Sequence, residues 1–163
     1  MKRARSDEAK DERRALLLQA ALDEFFEKGF SAARMSDIAR RANLTKGTLY
    51  LYFESKDALF KALIERLAAP NLDHMEMIAS SAPTFSDALD RLADFAPFLI
   101  RQSDMPRLMK VLIGDSHNFP GIILAYREEV LGRLLDIIAR VLEQAKAAGE
   151  IDFEDAQLTA RLV

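Results

Sequence analysis

The sequence predicts an all-α protein, and three observations lead to that prediction. Half of the 163 residues are hydrophobic, whereas the chain contains only six glycines and five prolines. Apolar residues recur at intervals of three and four positions, which is the helical period, and no alternating strand pattern persists. No apolar run approaches the length of a membrane span. We therefore expect packed helices and no membrane partner.

The first predicted helix spans residues 11–28. Leu17, Ala21 and Phe25 recur at intervals of four and would form its buried face. Gly29 follows the last turn, at the position where glycine commonly ends a helix. The spacing therefore predicts one amphipathic helix with a defined end.

The second predicted helix spans residues 35–42 and presents Ile38 and Ala39 on one face. Because Ala39 is small, another helix can cross it closely. Asn43 and Leu44 would form the following turn, since asparagine tolerates left-handed backbone. Another helix is predicted directly after this turn, which indicates a helix-turn-helix.

The third predicted helix, Thr45–Phe53, is too short to be stable alone in water. At 100° per residue, Leu49 and Phe53 fall on one side and would be its buried anchors. Thr45 would cap the helix, and the free N–H groups at that end favour an anion. The outward residues would be Gly47, Thr48, Tyr50 and Leu51, with Lys46 and Tyr52 at the edges. A rod about 13 Å long matches a major groove about 12 Å wide, so this face is interpreted as DNA-binding.

Many residues at fixed spacing carry a resemblance to a known family: Leu17, Ala20, Ala21, Phe25, Lys28, Gly29, Phe30, Asp37, Ile38, Ala39, the run Ala42–Phe53 and the run Ser55–Leu59. This pattern, over about the first third of the chain, resembles the DNA-binding domain of TetR-family transcriptional regulators. The resemblance implies a cytoplasmic, homodimeric, helical repressor of a pseudo-palindromic operator. A small, largely apolar effector would bind the second domain and change the separation of the two recognition helices.

The resemblance also implies which residues contact DNA. By position, the matching residues are Lys46, Gly47, Thr48, Tyr50, Tyr52 and Lys56. Many members have Thr where this chain has Arg34, so either Arg34 or Ser36 would cap the second helix or contact a phosphate. Leu51 stands where a polar or aromatic residue is common, so the operator sequence cannot be transferred from other members.

The predicted domains are residues 1–56, which form the helix-turn-helix, and residues 57–163, which form a helical effector-binding and dimerisation domain. We predict helices over residues 56–67, 71–80, 85–102, 104–115 and 120–148, with Pro70 kinking or ending the first of them. Thr84 or Ser86 would cap the third. The apolar stripe of the last helix is too broad for one neighbour, which suggests the same helix of a second subunit. Residues 153–163 read as the opening of a further helix, so the chain is expected to be incomplete there.

An effector pocket is predicted among the middle helices, because apolar walls with few polar groups are usual for such sites. Residues 105–120 also resemble the ligand domain of AefR- and AcrR-like regulators. His117 could be a polar pocket group, a metal ligand or a helix end; no metal or other cofactor is expected. The candidate pocket residues are Phe95, Phe98, Leu99, Met109, Leu112, Ile113, Phe119 and Tyr126.

Charge and composition narrow the function classes. Residues 1–56 hold 12 Lys and Arg and 9 Asp and Glu, whereas the remainder holds 11 and 17, so only one end is basic. The basic N-terminal Lys2–Arg5 is expected to be a disordered arm that either reaches the minor groove or is simply solvated. The chain has no cysteine and no nucleophile elbow, phosphate loop or zinc signature, so no catalytic residue is predicted. A helical interaction module that has lost DNA binding is the remaining alternative.

Overall fold

The computed structural model describes residues 2–117 and 119–161, with side chains from Asp7 onward, and the regular secondary structure in this part is helical. The predicted all-α class is confirmed, and no helix in this part is both long and apolar enough to cross a membrane. The helices are α1 (Lys2–Ala32), α2 (Met35–Arg41), α3 (Lys46–Tyr52), α4 (Lys56–Ser81), α5 (Phe85–Arg101), α6 (Met105–Asp115), α7 (Pro120–Tyr126), α8 (Gly132–Ala147) and α9 (Ala156–Ala160).

The chain forms two compact units. The head unit contains Met1–Leu63 and Arg107–Leu124, and the second unit contains Ile64–Pro106 and Ala125–Val163. The division predicted after residue 56 therefore differs from the one observed. The first turns of α4 and most of α6 belong with the helix-turn-helix.

α1 begins earlier than predicted and is interrupted where predicted. It starts at Lys2, so the disordered arm expected over Lys2–Arg5 is wrong for the backbone, and those side chains lie outside the described residues. Gly29 interrupts the helix with φ 81° and ψ 162°, a conformation that residues with a Cβ rarely adopt. One more helical turn then leads to Ala32.

The helix-turn-helix follows the predicted pattern. Ile38 and Ala39 of α2 are buried, and α2 ends at Arg41. Asn43 has a φ of 55°, the positive value expected at the turn. Leu44 N–H donates to the Ala39 carbonyl at 2.9 Å, which closes the turn before α3 begins.

One predicted interruption is absent from the structure, and one interruption that was not predicted is present. Pro70 lies inside α4, which continues unbroken to Ser81. The side-chain amide of Asn71 donates to the Leu67 carbonyl at 2.7 Å in the same stretch, an added bond where proline removes one. The long helix predicted over residues 120–148 is helical, but Arg127–Leu131 forms a wider π-helical turn between α7 and α8.

Of the two caps predicted for α5, Thr84 and Ser86, the structure has Thr84. Thr84 caps α5 by accepting a hydrogen bond from Asp87 N–H. Gly149, with a φ of 76°, ends α8. The second unit has a small core of Ala139, Leu142, Ala156 and Ala160, against which Phe85, Leu135, Ile138, Ile151 and Phe153 pack. Leu162 and Val163, at the end of the expected further helix, lie outside the described residues.

Candidate functional site

The inner face of α3 is fixed by two buried side chains. Leu49 is fully buried and Phe53, the residue after the helix, is 4% exposed. Thr45 caps the helix, and its hydroxyl accepts a hydrogen bond from Thr48 N–H at 3.1 Å. The guanidinium of Arg14 lies 5.5 Å from the centre of the Phe53 ring. A seven-residue helix is thus held by its neighbours and its cap, as its short length requires.

The outer face of α3 presents apolar and backbone groups to solvent. Leu51 is 85% exposed and Tyr50 is 44% exposed. Among the described residues, a Cβ added at Gly47 would meet only the Thr45 hydroxyl, at 3.8 Å, so their packing does not require glycine there. Three neighbouring positions therefore form a surface on which another molecule's backbone or bases can lie closely.

Polar groups on the edge of this surface are partly pre-arranged. The Lys46 ammonium lies 5.7 Å from the centre of the Tyr50 ring, a cation–π contact one helical turn apart. The Thr48 hydroxyl is 2.8 Å from the Thr45 hydroxyl, and Thr48 is half-buried. Tyr52 is also half-buried, with its ring 6.5 Å from that of Phe53. Lys46 and Tyr50 are therefore better placed for contact than Thr48 and Tyr52.

The start of α2 carries the two remaining predicted contacts. Arg34 and Ser36 are both exposed. Arg34 occupies the N-cap position with extended backbone, but its side chain makes no capping hydrogen bond. The prediction that the Arg34 side chain caps α2 is therefore wrong, and this side chain is available to solvent.

Lys56 requires a correction. Its ammonium donates to the carbonyl oxygens of Phe30 at 2.6 Å, Ser31 at 3.1 Å and Ala33 at 3.1 Å. An ammonium has three N–H donors, so none remains for a phosphate. Burial lowers the pKa of Lys56, an effect partly offset by the nearby charges of Asp57 and Asp115. We therefore remove Lys56 from the candidate DNA contacts.

Ion pairs join α1 to α2 beside the candidate site. Glu24 is 1% exposed; its carboxylate lies 2.5 Å from the Lys28 ammonium and 3.1 Å from the Arg41 guanidinium. Arg41 also pairs with Glu27. Arg41 is consequently engaged inside the head unit, whereas Arg40 pairs with Asp37 at 2.9 Å and keeps a side chain that is 78% exposed.

The second unit contains an open groove of about 450 Å³ that is lined by Pro70, Asn71, His74, Asp94, Phe95 and Phe98. Its aromatic rings form a row: His74 to Phe95 is 4.6 Å and Phe95 to Phe98 is 5.4 Å between ring centres. One N–H of the Asn71 side-chain amide is bonded to the Leu67 carbonyl, which leaves its second N–H and its amide oxygen for a ligand.

Of the eight predicted pocket residues, Phe95 and Phe98 line this groove. Leu112 is instead in the core, and Ile113 is 71% exposed. Phe119 packs against Phe30 with ring centres 5.2 Å apart. The other predicted residues, all half-buried, are Leu99, Met109 and Tyr126.

Sequence reasoning missed the α4 side of the groove and also Asp94 on α5. The available signal was the spacing of Pro70 and His74, one helical turn apart on the same face, once Pro70 is accepted inside a helix. The missed lining residues are Pro70, Asn71, His74 and Asp94.

Comparison with known proteins decides the family. Residues 17–63 match the family model for bacterial regulatory proteins, tetR family, and residues 87–163 match that for the AefR-like transcriptional repressor, C-terminal domain. The Bacillus subtilis (strain 168) HTH-type transcriptional regulator YhgD is 38% identical over 153 residues, covering 91% of this chain and 77% of YhgD. The chain belongs to the TetR family. Its family and relatives are transcriptional regulators.

Two further similarities show how much of a relative the chain spans. YvdT of Bacillus subtilis (strain 168), also an HTH-type transcriptional regulator, is 41% identical over 86 residues, which are 53% of this chain and 44% of YvdT. The match thus spans less than half the length of that relative. The solved structure of the flavonoid-responsive regulator FrrA superposes with a TM-score of 0.70 at 29% identity, covering 93% of this chain and 76% of FrrA.

Proposed function

We propose that this TetR-family regulator is a repressor that binds a pseudo-palindromic operator as a homodimer and is released by a small, largely apolar effector. One observation carries the proposal: α3 buries Leu49 completely while leaving Leu51 85% exposed. A short helix that is anchored on one side and apolar on the other suits insertion into a groove.

The proposed DNA contacts divide by chemistry. Lys46 and Arg34 would bind phosphates, and the capped N-terminus of α3 would favour a phosphate through its free N–H groups. Leu51 would contact a thymine methyl group, and Tyr50 would lie along the base edges or sugars. The complete proposed set is Arg34, Ser36, Thr45, Lys46, Gly47, Thr48, Tyr50, Leu51 and Tyr52.

The proposed dimer places two α3 helices at successive major grooves, about 34 Å apart. Dimers are usual in the TetR family, and exposed apolar residues of the second unit, Leu131 and Leu158, are suited to subunit contact. Effector binding would favour a different separation of the two helices, so that both no longer fit the DNA at once.

The proposed effector site is the groove between α4 and α5. Its volume lies in the usual range for small-molecule sites, about 300–1,000 Å³. The row of His74, Phe95 and Phe98 offers flat faces for stacking, and Asp94 with the Asn71 amide oxygen offers acceptors. A flat, largely apolar molecule with one or two hydrogen-bond donors fits this chemistry. The similarity to FrrA, a flavonoid-responsive regulator, supports that class.

The decisive experiment is selection of bound sites from random DNA, followed by titration of the selected site with Tyr50→Ala. We expect a pseudo-palindromic site and weaker binding by Tyr50→Ala with an unchanged unfolding midpoint. Leu16→Ala is the matched control, since Leu16 is a large exposed residue of the head unit on α1.

Two results would contradict the proposal. Failure to enrich any site, together with no salt-dependent retention on heparin, would favour the interaction module. Equal operator affinity in Tyr50→Ala and the wild type would show that the outer face of α3 does not read the DNA.

The effector part is tested separately with Phe98→Ala. A flavonoid that releases the wild-type protein from its operator should release this variant at a higher concentration, with operator affinity in its absence unchanged. Leu89→Ala, an exposed apolar residue of α5 outside the groove, should respond as the wild type does.

A further inference from the structure

The last turn of α1, which leads to α2, begins with an unusual backbone conformation. Gly29 carries the positive φ of 81°, and a Cβ there would lie 3.0 Å from the Asp115 carboxylate. Glycine is thus required by the backbone conformation, and a Cβ would also crowd the Asp115 carboxylate. The turn, residues 29–33, is separated from α2 by Arg34 alone, so its position determines where α2 begins.

A buried carboxylate binds the amides of this turn. Asp115, at the end of α6, is 8% exposed. One of its oxygens accepts from Phe30 N–H at 2.7 Å and the other from Ser31 N–H at 3.3 Å. Hydrogen bonds to an ionised acceptor are roughly twice as strong as neutral ones, so two consecutive amides are held by one side chain.

An ammonium binds the carbonyls of the same turn. Lys56, at the start of α4, donates to Phe30, Ser31 and Ala33, and its Nζ lies 4.6 Å from the centre of the Phe30 ring. The two side chains thus bind opposite groups of the same turn: Lys56 binds its carbonyl oxygens, and Asp115 binds its N–H groups.

α6 is attached to α1 at two further points, which keeps Asp115 in place. The Arg107 guanidinium lies 2.5 Å from the Asp23 carboxylate. The Lys110 ammonium lies 4.0 Å from the centre of the Phe26 ring. Positions 107, 110 and 115 of one helix therefore meet positions 23, 26 and 30 of the other.

We infer that Lys56 and Asp115 are positioning residues for DNA binding, which hold residues 29–33 and thereby the start of α2 without contacting DNA. This inference rests on the proposed DNA-binding function. It gives Lys56 a structural role in place of the phosphate contact that the family resemblance implied. It also assigns the DNA-binding machinery a residue, Asp115, that lies 62 positions beyond Phe53 in the sequence.

Salt dependence separates the two roles of Lys56. Each phosphate contact contributes about 0.9 to the slope of log affinity against log salt. Lys56→Met should lower operator affinity about tenfold, the scale of a lost charge-assisted bond, with the slope unchanged. Lys46→Met is the comparison, because its slope should fall. A slope that falls equally in Lys56→Met would overturn the inference.

Lys56→Arg tests the same point without removing charge. The planar guanidinium keeps a phosphate contact but cannot direct three donors to three carbonyls as the ammonium does. Weaker operator binding by Lys56→Arg, with an intact cooperative unfolding transition, supports the positioning role. Wild-type affinity in this variant contradicts it.

Asp115→Asn gives an effect of opposite sign under the two accounts. Removing a negative charge near DNA should strengthen operator binding if only the charge matters. Loss of the hydrogen bonds that position the turn should instead weaken operator binding. Asp57→Asn is the matched control: Asp57 is exposed, follows Lys56 directly and carries the same charge. Tighter binding in both variants would contradict the inference.

A measurement without DNA keeps the inference separate from the proposed function. In amide ¹H–¹⁵N spectra, the Phe30 and Ser31 signals should move upfield and exchange faster in Asp115→Asn, and remain unchanged in Asp57→Asn. If the wild type bound no operator while these signals changed as expected, only the DNA-binding proposal would fail. Unchanged Phe30 and Ser31 signals in Asp115→Asn would show that the Asp115 carboxylate does not position this turn.

Discussion

The two units of this protein are packed to different degrees. Among the described residues, the largest fully buried side chains are Phe25, Phe30, Phe60, Leu17, Leu18, Leu22, Ile38, Leu49, Leu59, Leu63, Ile64 and Leu108. All except Ile64 lie in the head unit. The second unit instead leaves aromatic rings such as Phe98 at an open groove. Dense packing suits the proposed presentation of α3 in a fixed orientation, and the unfilled surface suits the proposed effector site.

Two phenylalanines measure this difference most directly. Phe25→Ala should lower the free energy of unfolding by about 3–5 kcal/mol, because Phe25 is fully buried and its ring centre lies 5.3 Å from that of Phe30. Phe98→Ala should cost less than about 1 kcal/mol, since Phe98 is 41% exposed. Denaturant unfolding of both variants provides the values. Equal costs would remove the contrast between the units.

Within the head unit, α3 repeats the contrast on its two faces. Leu49→Ala should cost about 2–4 kcal/mol of unfolding free energy through the cavity it leaves. Leu51→Ala should change stability by no more than about 0.5 kcal/mol and should instead alter which bases the protein selects. Unfolding curves and site selection on the two variants test this pair. A large stability loss for Leu51→Ala would mean that this side chain is packed.

Removing a helix cap should lower stability by about the same amount in each unit. Thr45 caps α3 and Thr84 caps α5, each accepting a backbone N–H at 3.1 Å. Replacement of either by alanine should cost about 1 kcal/mol. Only Thr45→Ala should weaken operator binding, because only α3 is proposed to enter the groove. Reduced operator affinity in both variants would indicate a general loss of stability instead.

The smallest expected change is a gain. Gly47→Ala should stabilise the protein by up to about 1 kcal/mol through helix propensity, since the added Cβ meets no packed atom. The same methyl group should weaken operator binding by keeping the backbone away from the DNA. A thermal melt and an operator titration check both signs. Unchanged operator affinity would show that DNA does not approach this position closely.

The head unit was predictable because its signals are local. The periodic Leu17, Ala21 and Phe25, the turn at Asn43 and the cap at Thr45 each follow from nearby sequence, and the structure has all of them. The Asp115 contact with Phe30 joins residues 85 positions apart, and no local pattern reveals such a pair.

The pocket was less predictable for a related reason. Apolar residues at helical spacing fill cores and line grooves alike, so Leu112 and Phe98 could not be told apart by sequence. Proline usually ends a helix, and treating Pro70 that way concealed the α4 wall. Which helix faces meet is decided by tertiary packing, which a single sequence does not encode locally.

The ionic link between α1 and α2 has a consequence for acidity. Hydrogen bonding from Arg41 lowers the pKa of Glu27 below its ordinary 4.5. The stability that this ion pair contributes is therefore complete above pH 4.5 and is lost as the pH falls through the lowered pKa. Pairing with Glu24, also on α1, raises the pKa of Lys28 above 10.5. The stability that this pair contributes is therefore complete below pH 10.5 and is lost as the pH rises through the raised pKa. Residues 1–56 contain no histidine. Ordinary pH fluctuations around neutrality should therefore leave these two ion pairs intact.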